Sequence, residues 1–306
     1  MRVAFLAYGE IGAIVLGGVA AQHDVATVVT HEPRFGGLNE DHVVKLCDKL
    51  GLPTLFARNA GESHVLTALQ ECQPEVLVSA NWRTTVPGLV LEVPSRYPIN
   101  VHDALLPTYA GFGSVNWAIR NGESEIGLTV HVMERELDTG PVLWQVIVPI
   151  GTEDTAGTVY SKLLQEYPGA VLKALNLLAD GAQPVPQPSA GSTFYHRITE
   201  ADTRIDWSLP TRQLVNLIRA QSDPFTNAWC MVNGEKLYVK RAKEPCRSYR
   251  GTPGRVIKYA EDGVAVVCGP SWEARSDGII LLEVQGEGQQ PQSATSFFKK
   301  LGAQLE

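Results

Sequence analysis

Positive charge is not in excess in this sequence, and its apolar residues form no long run. The 306 residues include 26 Lys and Arg against 33 Asp and Glu, which gives a formal net charge of −7. A general nucleic-acid-binding protein needs clustered positive charge, so that class is not indicated. No segment approaches the roughly 18–20 unbroken apolar residues of a membrane span. Hydrophobic residues nevertheless make up 44% of the chain, which excludes disorder for most of it and indicates a soluble globular protein.

Cysteine is scarce, and its spacing has no recognisable pattern. The five cysteines are an odd number, lie far apart and form no Cys-x-x-Cys pair. Neither a disulfide framework nor a zinc site follows from them, and we expect a reducing, cytoplasmic compartment. The N-terminus runs directly into a strand-like segment without a basic stretch and a long apolar core, so we expect no signal peptide.

The glycine pattern of a nucleotide-binding turn is also missing. The predicted first strand, Arg2–Ala7, is followed by Tyr8-Gly9-Glu10-Ile11-Gly12. A Gly-x-Gly-x-x-Gly motif would let bare backbone approach a pyrophosphate, but here its first glycine is absent and a glutamate stands at the phosphate position. A Walker loop is absent too. We therefore expect a tight turn that binds neither NAD nor ATP.

Short apolar runs alternate with amphipathic segments through the first half of the chain. The predicted strands are Arg2–Ala7, Asp24–Thr30, Glu75–Ala80, Tyr97–Val101, Glu125–Met133 and Val142–Val148. The predicted helices are Gly12–Ala20, His42–Leu50, Ser63–Glu71 and Thr155–Ala179. Pro168 should break or kink the last of these helices. The alternation predicts an α/β fold with a mostly parallel, Rossmann-like sheet and helices on both faces.

The composition changes after residue 180. Residues 181–204 are rich in Pro, Gly and Ser, and we predict a linker there between a domain at 1–180 and a domain at 205–306. The predicted elements beyond it are helices about Leu209–Gln221 and near Ala294–Leu301, and strands Ala228–Val232, Glu235–Ala242, Gly254–Tyr259, Val264–Cys268 and Ile279–Val284. Short strands at turn-separated intervals, with an Asn233-Gly234 hairpin, predict a small β-barrel.

Polar residues converge at one edge of the predicted sheet. Asn100 and His102 end a predicted strand on the same face, and Asp138 follows in a Leu-Asp-Thr-Gly turn. An amide that donates to an oxyanion, an imidazole that moves a proton and a carboxylate that orients the imidazole together suit acyl transfer. Each residue also has a structural alternative, as a strand end, a buried histidine or a turn residue. A metal site is rejected, because the cluster holds one histidine.

A family resemblance rests on the order and spacing of short motifs over about forty residues. They are Asn100-Val101-His102, Leu105-Leu106-Pro107, Tyr109, Gly111, Trp117-Ala118-Ile119, Asn121-Gly122-Glu123, Gly127-Leu128-Thr129 and Leu137-Asp138-Thr139-Gly140. Together they resemble the N10-formyltetrahydrofolate-dependent formyltransferases, which act on methionyl-tRNA, glycinamide ribonucleotide or amino sugars. The resemblance implies a Rossmann-like formyltransferase domain followed by an oligonucleotide-binding-like (OB-like) barrel.

The resemblance also implies roles for individual residues. Asn100 and His102 would donate to the tetrahedral oxyanion, and Asp138 would orient His102 and assist removal of the amine proton. N10-formyltetrahydrofolate would be the co-substrate, with no metal and no NAD. The implied folate-binding residues are Trp82, Arg83, Thr84, Thr85, Leu105, Leu106, Met133, Glu134, Glu136 and Leu137. Trp82 could equally be a core aromatic.

The sequence around the site favours a small, soluble amine as acceptor. The loop Thr30–Asp41 has one base against three acids, where methionyl-tRNA enzymes usually carry a basic insertion. Ala110 stands where most relatives have arginine, and Asp103 adds a carboxylate that could hold a cationic group or only cap a loop. Asp103 and Tyr109 are therefore candidate acceptor-binding residues. Tyr109-Ala110-Gly111-Phe112 and Arg219-Ala220-Gln221-Ser222-Asp223-Pro224 resemble siderophore-pathway enzymes that formylate N-hydroxyornithine.

Other acceptors and functions remain open at this point. A nucleotide-linked amino sugar is the nearest alternative, and methionyl-tRNA or a nucleic-acid-binding role is the next. The basic residues of the predicted barrel form one cluster, which is Lys236, Lys240, Arg241, Lys243, Arg247 and Arg250. A solvated face explains this cluster without a nucleic-acid partner. Hydrolysis of formyl-folate is a further option, and neither a membrane partner nor a particular oligomeric state is indicated.

Overall fold

The first strand of the protein contains five consecutive apolar residues, Val3–Ala7, and is covered on both faces. Each of these side chains is fully buried, as a central strand of a parallel sheet requires. The computed structural model describes residues 1–260, 262–270 and 277–306. Among these residues, no helix combines the length and the apolar content needed to cross a membrane.

The N-terminal part of the chain alternates strands and helices. The strands are β1 (Arg2–Ala7), β2 (Asp24–Thr30), β3 (Arg34–Phe35), β4 (Leu38–Asn39), β5 (Thr54–Phe56), β6 (Val76–Ala80), β7 (Tyr97–His102), β8 (Ala110–Gly111), β9 (Glu125–Val132), β10 (Val142–Pro149) and β11 (Phe194–Tyr195). The helices are α1 (Gly9–Ala20), α2 (His42–Leu50), α3 (Ser63–Cys72), α4 (Gly88–Leu91), α5 (Ser114–Asn121) and α6 (Ala156–Ala179).

Seven of these strands form one sheet in the order β10-β9-β7-β6-β1-β2-β5. The pairs β1–β2, β1–β6, β2–β5 and β6–β7 are parallel, and β7–β9 is antiparallel. The prediction of a mostly parallel, Rossmann-like sheet is confirmed. In register, Asn100 of β7 lies between Ser79 of β6 and His131 of β9. The sheet therefore places polar side chains of three neighbouring strands at one level.

Helix α6 continues through Pro168, so of the two predicted outcomes the break is wrong and the kink stays a prediction. Tertiary packing explains the continuity, because Tyr167, Ala170 and Val171 on either side of the proline are buried in the core. The proline ring packs at Gly18 of α1, where an added Cβ would lie 2.7 Å from the Pro168 Cβ. Several short elements are not predicted from the sequence, among them the edge strand β5 and the eight-residue helix α5.

Contacts divide the chain into two units with interleaved segments. The first comprises residues 1–111, 126–148 and 161–195, and the second comprises 112–125, 149–160 and 196–306. The region predicted as a linker carries regular structure within the first unit. Val185 forms an antiparallel bridge with Val142, and β11 pairs in parallel with β8. The domain bounds at residues 180 and 205 stay a prediction.

The second unit contains an antiparallel sheet in the order β12-β13-β16-β15-β14. Its elements are a short 3₁₀ helix (Glu200–Thr203), α7 (Thr211–Ala220), β12 (Ala228–Val232), β13 (Glu235–Lys243), β14 (Val256–Ala260), β15 (Gly263–Cys268), β16 (Asp277–Gly286), β17 (Gln292–Ser293) and α8 (Ala294–Phe297). Residues 302–306 form backbone hydrogen bonds with residues 254–256, at the start of β14, on one side. On the other side they form backbone hydrogen bonds with β12. This double pairing joins the two edges into a barrel, which confirms the predicted β-domain.

Arg219, in the segment Arg219–Pro224, is a structural residue of this second unit. It is 8% exposed, and Nη1 donates to the carbonyls of Gly151 and Asp154 at 3.1 and 3.0 Å. Its Nε donates to Asn216 Oδ1 at 2.9 Å. Burial lowers the pKa of this guanidinium, and the carbonyls satisfy its donors.

Candidate active site

The predicted catalytic residues lie at the C-terminal end of β7. Asn100 and His102 are two residues apart and therefore share one face of the strand. His102 Nε2 donates to the Tyr109 carbonyl at 3.1 Å, since a carbonyl oxygen can only accept. This bond assigns a proton to Nε2 and leaves Nδ1 on the side of Asp138.

Asp138 occupies a turn that is held in an unusual backbone conformation. Its φ is +60°, a region that few residues other than glycine adopt. Gly140 must be glycine, because a Cβ there would collide with the Val132 carbonyl. The Asp138 side chain is 3% exposed, and its Oδ2 accepts the Gly111 N–H at 2.9 Å. The turn thus brings a desolvated carboxylate into the cluster.

The structure brings Asn100, His102 and Asp138 together as the sequence predicts. Asp138 Oδ2 lies 3.7 Å from His102 Nδ1, which is ion-pair distance. A carboxylate in this place faces the second nitrogen of the His102 ring and can fix the orientation of the ring. The catalytic roles of these three residues stay a prediction.

His131 of β9 is a member of the cluster that sequence reasoning missed. Its Nδ1 donates to the Val132 carbonyl at 2.9 Å, so Nε2 is the accepting nitrogen of the neutral ring. Nε2 lies 3.4 Å from Asn100 Nδ2 and 3.6 Å from Asp138 Oδ1. Burial lowers the pKa of His131 to about 4, more than the Asp138 carboxylate raises it. A histidine in an otherwise apolar strand next to β7 was the signal that could have revealed it.

Asp103 contacts Tyr167 rather than lying open. The Tyr167 hydroxyl on α6 donates to Asp103 Oδ1 in a short hydrogen bond, and Tyr167 is fully buried. Desolvation raises the pKa of Asp103 to about 6, against an opposing effect of His102 and with a contribution from Asp138. The acceptor-binding role of Asp103 stays a prediction, and its carboxylate already has one internal partner. Tyr109, the other acceptor candidate, stacks on Tyr195 with 4.9 Å between ring centroids.

The loop after His102 is tied to the neighbouring strands. Thr129 Oγ1 donates to the Ala104 carbonyl at 2.6 Å and accepts the Leu106 N–H at 3.1 Å. Gln145 Nε2 donates to the Leu106 carbonyl at 2.9 Å. Leu106 is buried and Leu105 is half-buried. These two predicted folate residues are therefore on a backbone that is fixed before any ligand arrives.

The predicted pterin loop begins after β6 with an aromatic stack. Trp82 stacks on His31 with centroids 3.8 Å apart, and His31 stacks on Phe35 at the same distance. Trp82 and Met133 also pack against one hydrophobic cluster. In the described part of the chain, Trp82 Nε1 and Thr84 Oγ1 are buried without a hydrogen-bond partner. The remaining predicted folate residues of these two loops are exposed, namely Arg83, Thr85, Glu134, Glu136 and Leu137.

The N-terminus of α1, where a dinucleotide would place its phosphates, holds a carboxylate of the protein. Glu40 Oε2 accepts the Glu10 N–H at 3.3 Å, and its Cδ would lie 2.8 Å from a Cβ at Gly9. A helix N-terminus attracts anions, and Glu40 satisfies it internally. A phosphate at this turn would meet a negative charge. Among the described residues, no group of three His, Cys, Asp or Glu side chains is arranged to hold a metal ion.

The three lysines of the basic cluster in the barrel have acidic partners. Lys236 pairs with Glu200 in a short contact, Lys240 lies 2.7 Å from Asp223, and Lys243 lies 2.8 Å from Asp262. A phosphate backbone would have to compete with these carboxylates for each lysine.

Comparisons with known proteins agree over the whole chain. Residues 1–175 match the family model described as formyl transferase, and residues 197–302 match the model described as formyl transferase, C-terminal domain. A methionyl-tRNA formyltransferase of Paracoccus denitrificans is 31% identical over 98% of this chain and 97% of its own. One of Pseudomonas putida is 32% identical over 88% of each chain.

Two solved structures share the fold. WlaRD, a sugar 3N-formyltransferase, has a TM-score of 0.68 at 17% identity and covers 95% of this chain and 99% of its own. HypX of Aquifex aeolicus with tetrahydrofolic acid has a TM-score of 0.63 at 18% identity. It covers 97% of this chain, which spans 47% of HypX.

Proposed function

Because the chain belongs to the formyl transferase family, we propose that it formylates the amine nitrogen of a small molecule, with an N-hydroxyornithine-type siderophore precursor as the best candidate. The enzyme is a formyltransferase, and its donor is N10-formyltetrahydrofolate. The identity of the acceptor is inferred from the residues of the site and from the charges around it.

The residues around the pterin loop fit a folate. A pterin has apolar faces and a polar edge, and such a ring needs flat apolar contacts and a few placed polar groups. Trp82 Nε1 and Thr84 Oγ1 are buried polar atoms that lack a partner among the described residues, and a bound ligand can supply one. The exposed Leu137 and the half-buried Leu105 offer apolar surface. The folate supplies the formyl group.

The cluster around His102 is suited to move protons and to stabilise negative charge. One amide hydrogen of Asn100 is directed at His131 Nε2, and the second remains to donate to a developing oxyanion. His102 carries a proton on Nε2 that it can share with the same oxyanion. Asp138 lies at the other nitrogen of His102, where its carboxylate stabilises a proton taken from the attacking amine.

The proposal of a small acceptor is based on the distribution of charged residues. Three of the six basic residues of the barrel cluster are paired with carboxylates, which lowers the positive charge that this cluster offers to a nucleic acid. The loop Thr30–Asp41 has a single basic residue, the exposed Arg34, against three acids, of which Glu40 accepts the Glu10 N–H and Asp41 pairs with Lys45 at 2.9 Å.

The direct test is a screen of acceptors with N10-formyltetrahydrofolate, with the products identified by mass. We expect a mass gain of one formyl group on N-hydroxyornithine and none on methionyl-tRNA at physiological salt. A nucleotide-linked amino sugar is the control for a small anionic acceptor. Formylation of the sugar nucleotide alone would move the assignment to that class.

A second candidate acceptor is methionyl-tRNA, favoured by full-length relatives of that name at 31–32% identity. Binding to a phosphate backbone weakens steeply with salt. Formylation of methionyl-tRNA that persists at physiological salt, without activity on any small amine, would replace our proposal with this one.

A further inference from the structure

A short segment after α6 contacts two parts of the candidate active site, the Asp138 turn and the loop of residues 107–110. We name residues 187–195 the strap, which lies within the region that the sequence predicts as a linker. At its start, Gln187 Nε2 donates to the carbonyls of Asp138 and Gly140, each at 2.8 Å. Asp138 has a φ of +60°, so its backbone conformation needs support from outside the turn. Gln187 gives that support through the two backbone carbonyls of the turn.

Thr193, further along the strap, holds the loop that follows the cluster. Its Oγ1 accepts the Tyr109 N–H at 2.9 Å, and its carbonyl accepts the Ala110 N–H at 3.0 Å. Its own N–H donates to the Pro107 carbonyl at 3.1 Å. Three hydrogen bonds from one residue therefore fix residues 107–110. The ring of Tyr195 stacks on Tyr109 with an interplanar angle of 7° and supports the same loop.

The held loop touches both reacting side chains. The Tyr109 carbonyl accepts from His102 Nε2 at 3.1 Å, and the Gly111 N–H donates to Asp138 Oδ2 at 2.9 Å. Both bonds come from a backbone that the strap positions. A shift of this loop would therefore rotate the imidazole and displace the carboxylate together.

We propose that the strap is a positioning element of the active site, in which Gln187 and Thr193 hold the orientation of His102 and Asp138 through their backbone partners. The inference rests on the catalytic roles proposed for His102 and Asp138. Thr193 is exposed, so its side chain supports this loop rather than the core. A small misplacement of reacting groups lowers turnover strongly even when the substrate still binds.

The test uses the full chain with four variants. Thr193→Val removes the hydroxyl and keeps the shape, and Thr193→Ser restores the hydroxyl. Gln187→Leu removes both donors to the Asp138 turn. Ser192→Ala, at an exposed neighbour in the strap, is the matched control. We expect Thr193→Val and Gln187→Leu each to lower kcat about 10-fold, with KM for the folate donor within about 2-fold of wild type. Thr193→Ser and Ser192→Ala should keep the wild-type kcat.

A second measurement does not depend on the acceptor. Amide hydrogen exchange of Tyr109 and Gly111, followed by NMR, should be faster by about 10-fold in Thr193→Val and unchanged in Ser192→Ala. Unchanged exchange in both Thr193→Val and Gln187→Leu overturns the proposal, and so does faster exchange with an unchanged kcat. A wild-type enzyme that does not formylate N-hydroxyornithine contradicts the acceptor proposal instead, and the exchange rates then decide the strap.

Discussion

Asp138 lies within ion-pair distance of two histidines, and the two relationships differ. It faces the non-donating side of His102 at 3.7 Å and the accepting nitrogen of His131 at 3.6 Å. A carboxylate oxygen thus faces the second nitrogen of His102, whereas His131 stays neutral because burial lowers its pKa to about 4. The His131 ring therefore keeps a fixed tautomer.

Removal of either predicted catalytic side chain should abolish turnover without unfolding the protein. We expect His102→Ala and Asp138→Ala each to lower kcat by about 10²–10³, the usual effect of losing one oxyanion donor or its support. Formyl transfer to the amine acceptor measures the rate, and circular dichroism checks the fold. More than half of the wild-type turnover in either variant would show that the role assignment is wrong.

His131 should support Asn100 as a hydrogen-bond acceptor, and it should lower the stability of the protein at acid pH. His131→Phe removes the acceptor for the Asn100 amide, and we expect kcat to fall about 10-fold. Unfolded His takes up a proton near its usual 6.5, whereas the folded site resists protonation down to about 4, so this group lowers stability as the pH falls through that window. The loss is about 3 kcal/mol by pH 4, from 1.36 kcal/mol per pKa unit.

Urea unfolding at pH 7 and pH 4.5 measures the effect of His131. The difference in unfolding free energy between the two pH values should be smaller in His131→Phe than in wild type. An identical pH dependence in the two proteins would contradict the assigned pKa, and a wild-type kcat would contradict the support of Asn100.

Asp103 should change the stability of the protein with pH in the direction opposite to His131. Its pKa is raised from 3.8 to about 6, so the folded state holds the proton that the unfolded state has lost, and stability falls as the pH rises through this window. Asp103→Asn cannot ionise and still accepts from Tyr167. We expect it to be more stable than wild type at pH 8 by up to about 3 kcal/mol, with the gain shrinking toward pH 4.

The same Asp103→Asn variant tests the acceptor role. If the carboxylate holds a cationic group of N-hydroxyornithine, KM for the amine should rise about 10-fold with little change for folate, as for losing a charge-assisted hydrogen bond of roughly 1.5–3 kcal/mol. An unchanged KM would show that Asp103 does not bind the acceptor and that its carboxylate serves the hydrogen bond from Tyr167. A nucleotide-linked amino sugar carries negative charge, so with that acceptor the substitution should be neutral or helpful.

At the scale of elements, β8 and β11 show how closely the strap approaches the loop. Gly111 has a φ of +94°, and a Cβ there would collide with the Tyr195 carbonyl. We expect Gly111→Ala to lower the melting temperature and kcat together. Gly36→Ala is the matched control, because Gly36 also has a positive φ, of +59°, but no atom within 4 Å of an added Cβ. That control should carry only the backbone strain, roughly 1 kcal/mol. Equal destabilisation of the two variants would contradict the close approach.

Long periodic elements were predictable because apolar spacing decides them. Helix α2 and strands β1, β2 and β12 have the predicted bounds, and the Asn233-Gly234 hairpin joins β12 and β13. Helix α6 continues through Pro168 because its buried face outweighs the local tendency of proline to end a helix. The strap was read as a linker because Pro and Gly content reports local flexibility and carries no information on distant partners such as Asp138.

The candidate site was predictable to the same degree as the sheet. Asn100, His102 and Asp138 follow from the end of β7 and a turn, both of which the sequence marks. His131 and Tyr167 were missed because their roles depend on strand register and helix packing across distances of 31 and 64 residues in sequence. A histidine in a mostly apolar strand marks His131 locally, but its partner, like that of Tyr167, is set only by the tertiary structure.

At the scale of the whole molecule, the fold offers two places where an anionic cofactor could bind, and charge separates them. The N-terminus of α1 is closed by Glu40. The loop after β6 keeps two buried polar atoms, Trp82 Nε1 and Thr84 Oγ1, that have no hydrogen-bond partner among the described residues. We therefore expect the folate co-substrate to bind at the ends of the central strands, away from the first turn.

This separation predicts which ligands stabilise the protein. A stable folate such as 5-formyltetrahydrofolate should raise the melting temperature, since a ligand at 100 times its Kd stabilises the folded state by about 2.7 kcal/mol. NAD, FAD and ATP should produce no shift, because their phosphates would meet the Glu40 carboxylate at α1. Glu40→Gln, which removes that charge, is the control and should leave the folate shift unchanged. Thermal shift assays with each ligand provide the measurement. A clear shift with a dinucleotide and none with the folate would overturn the assignment of the co-substrate site.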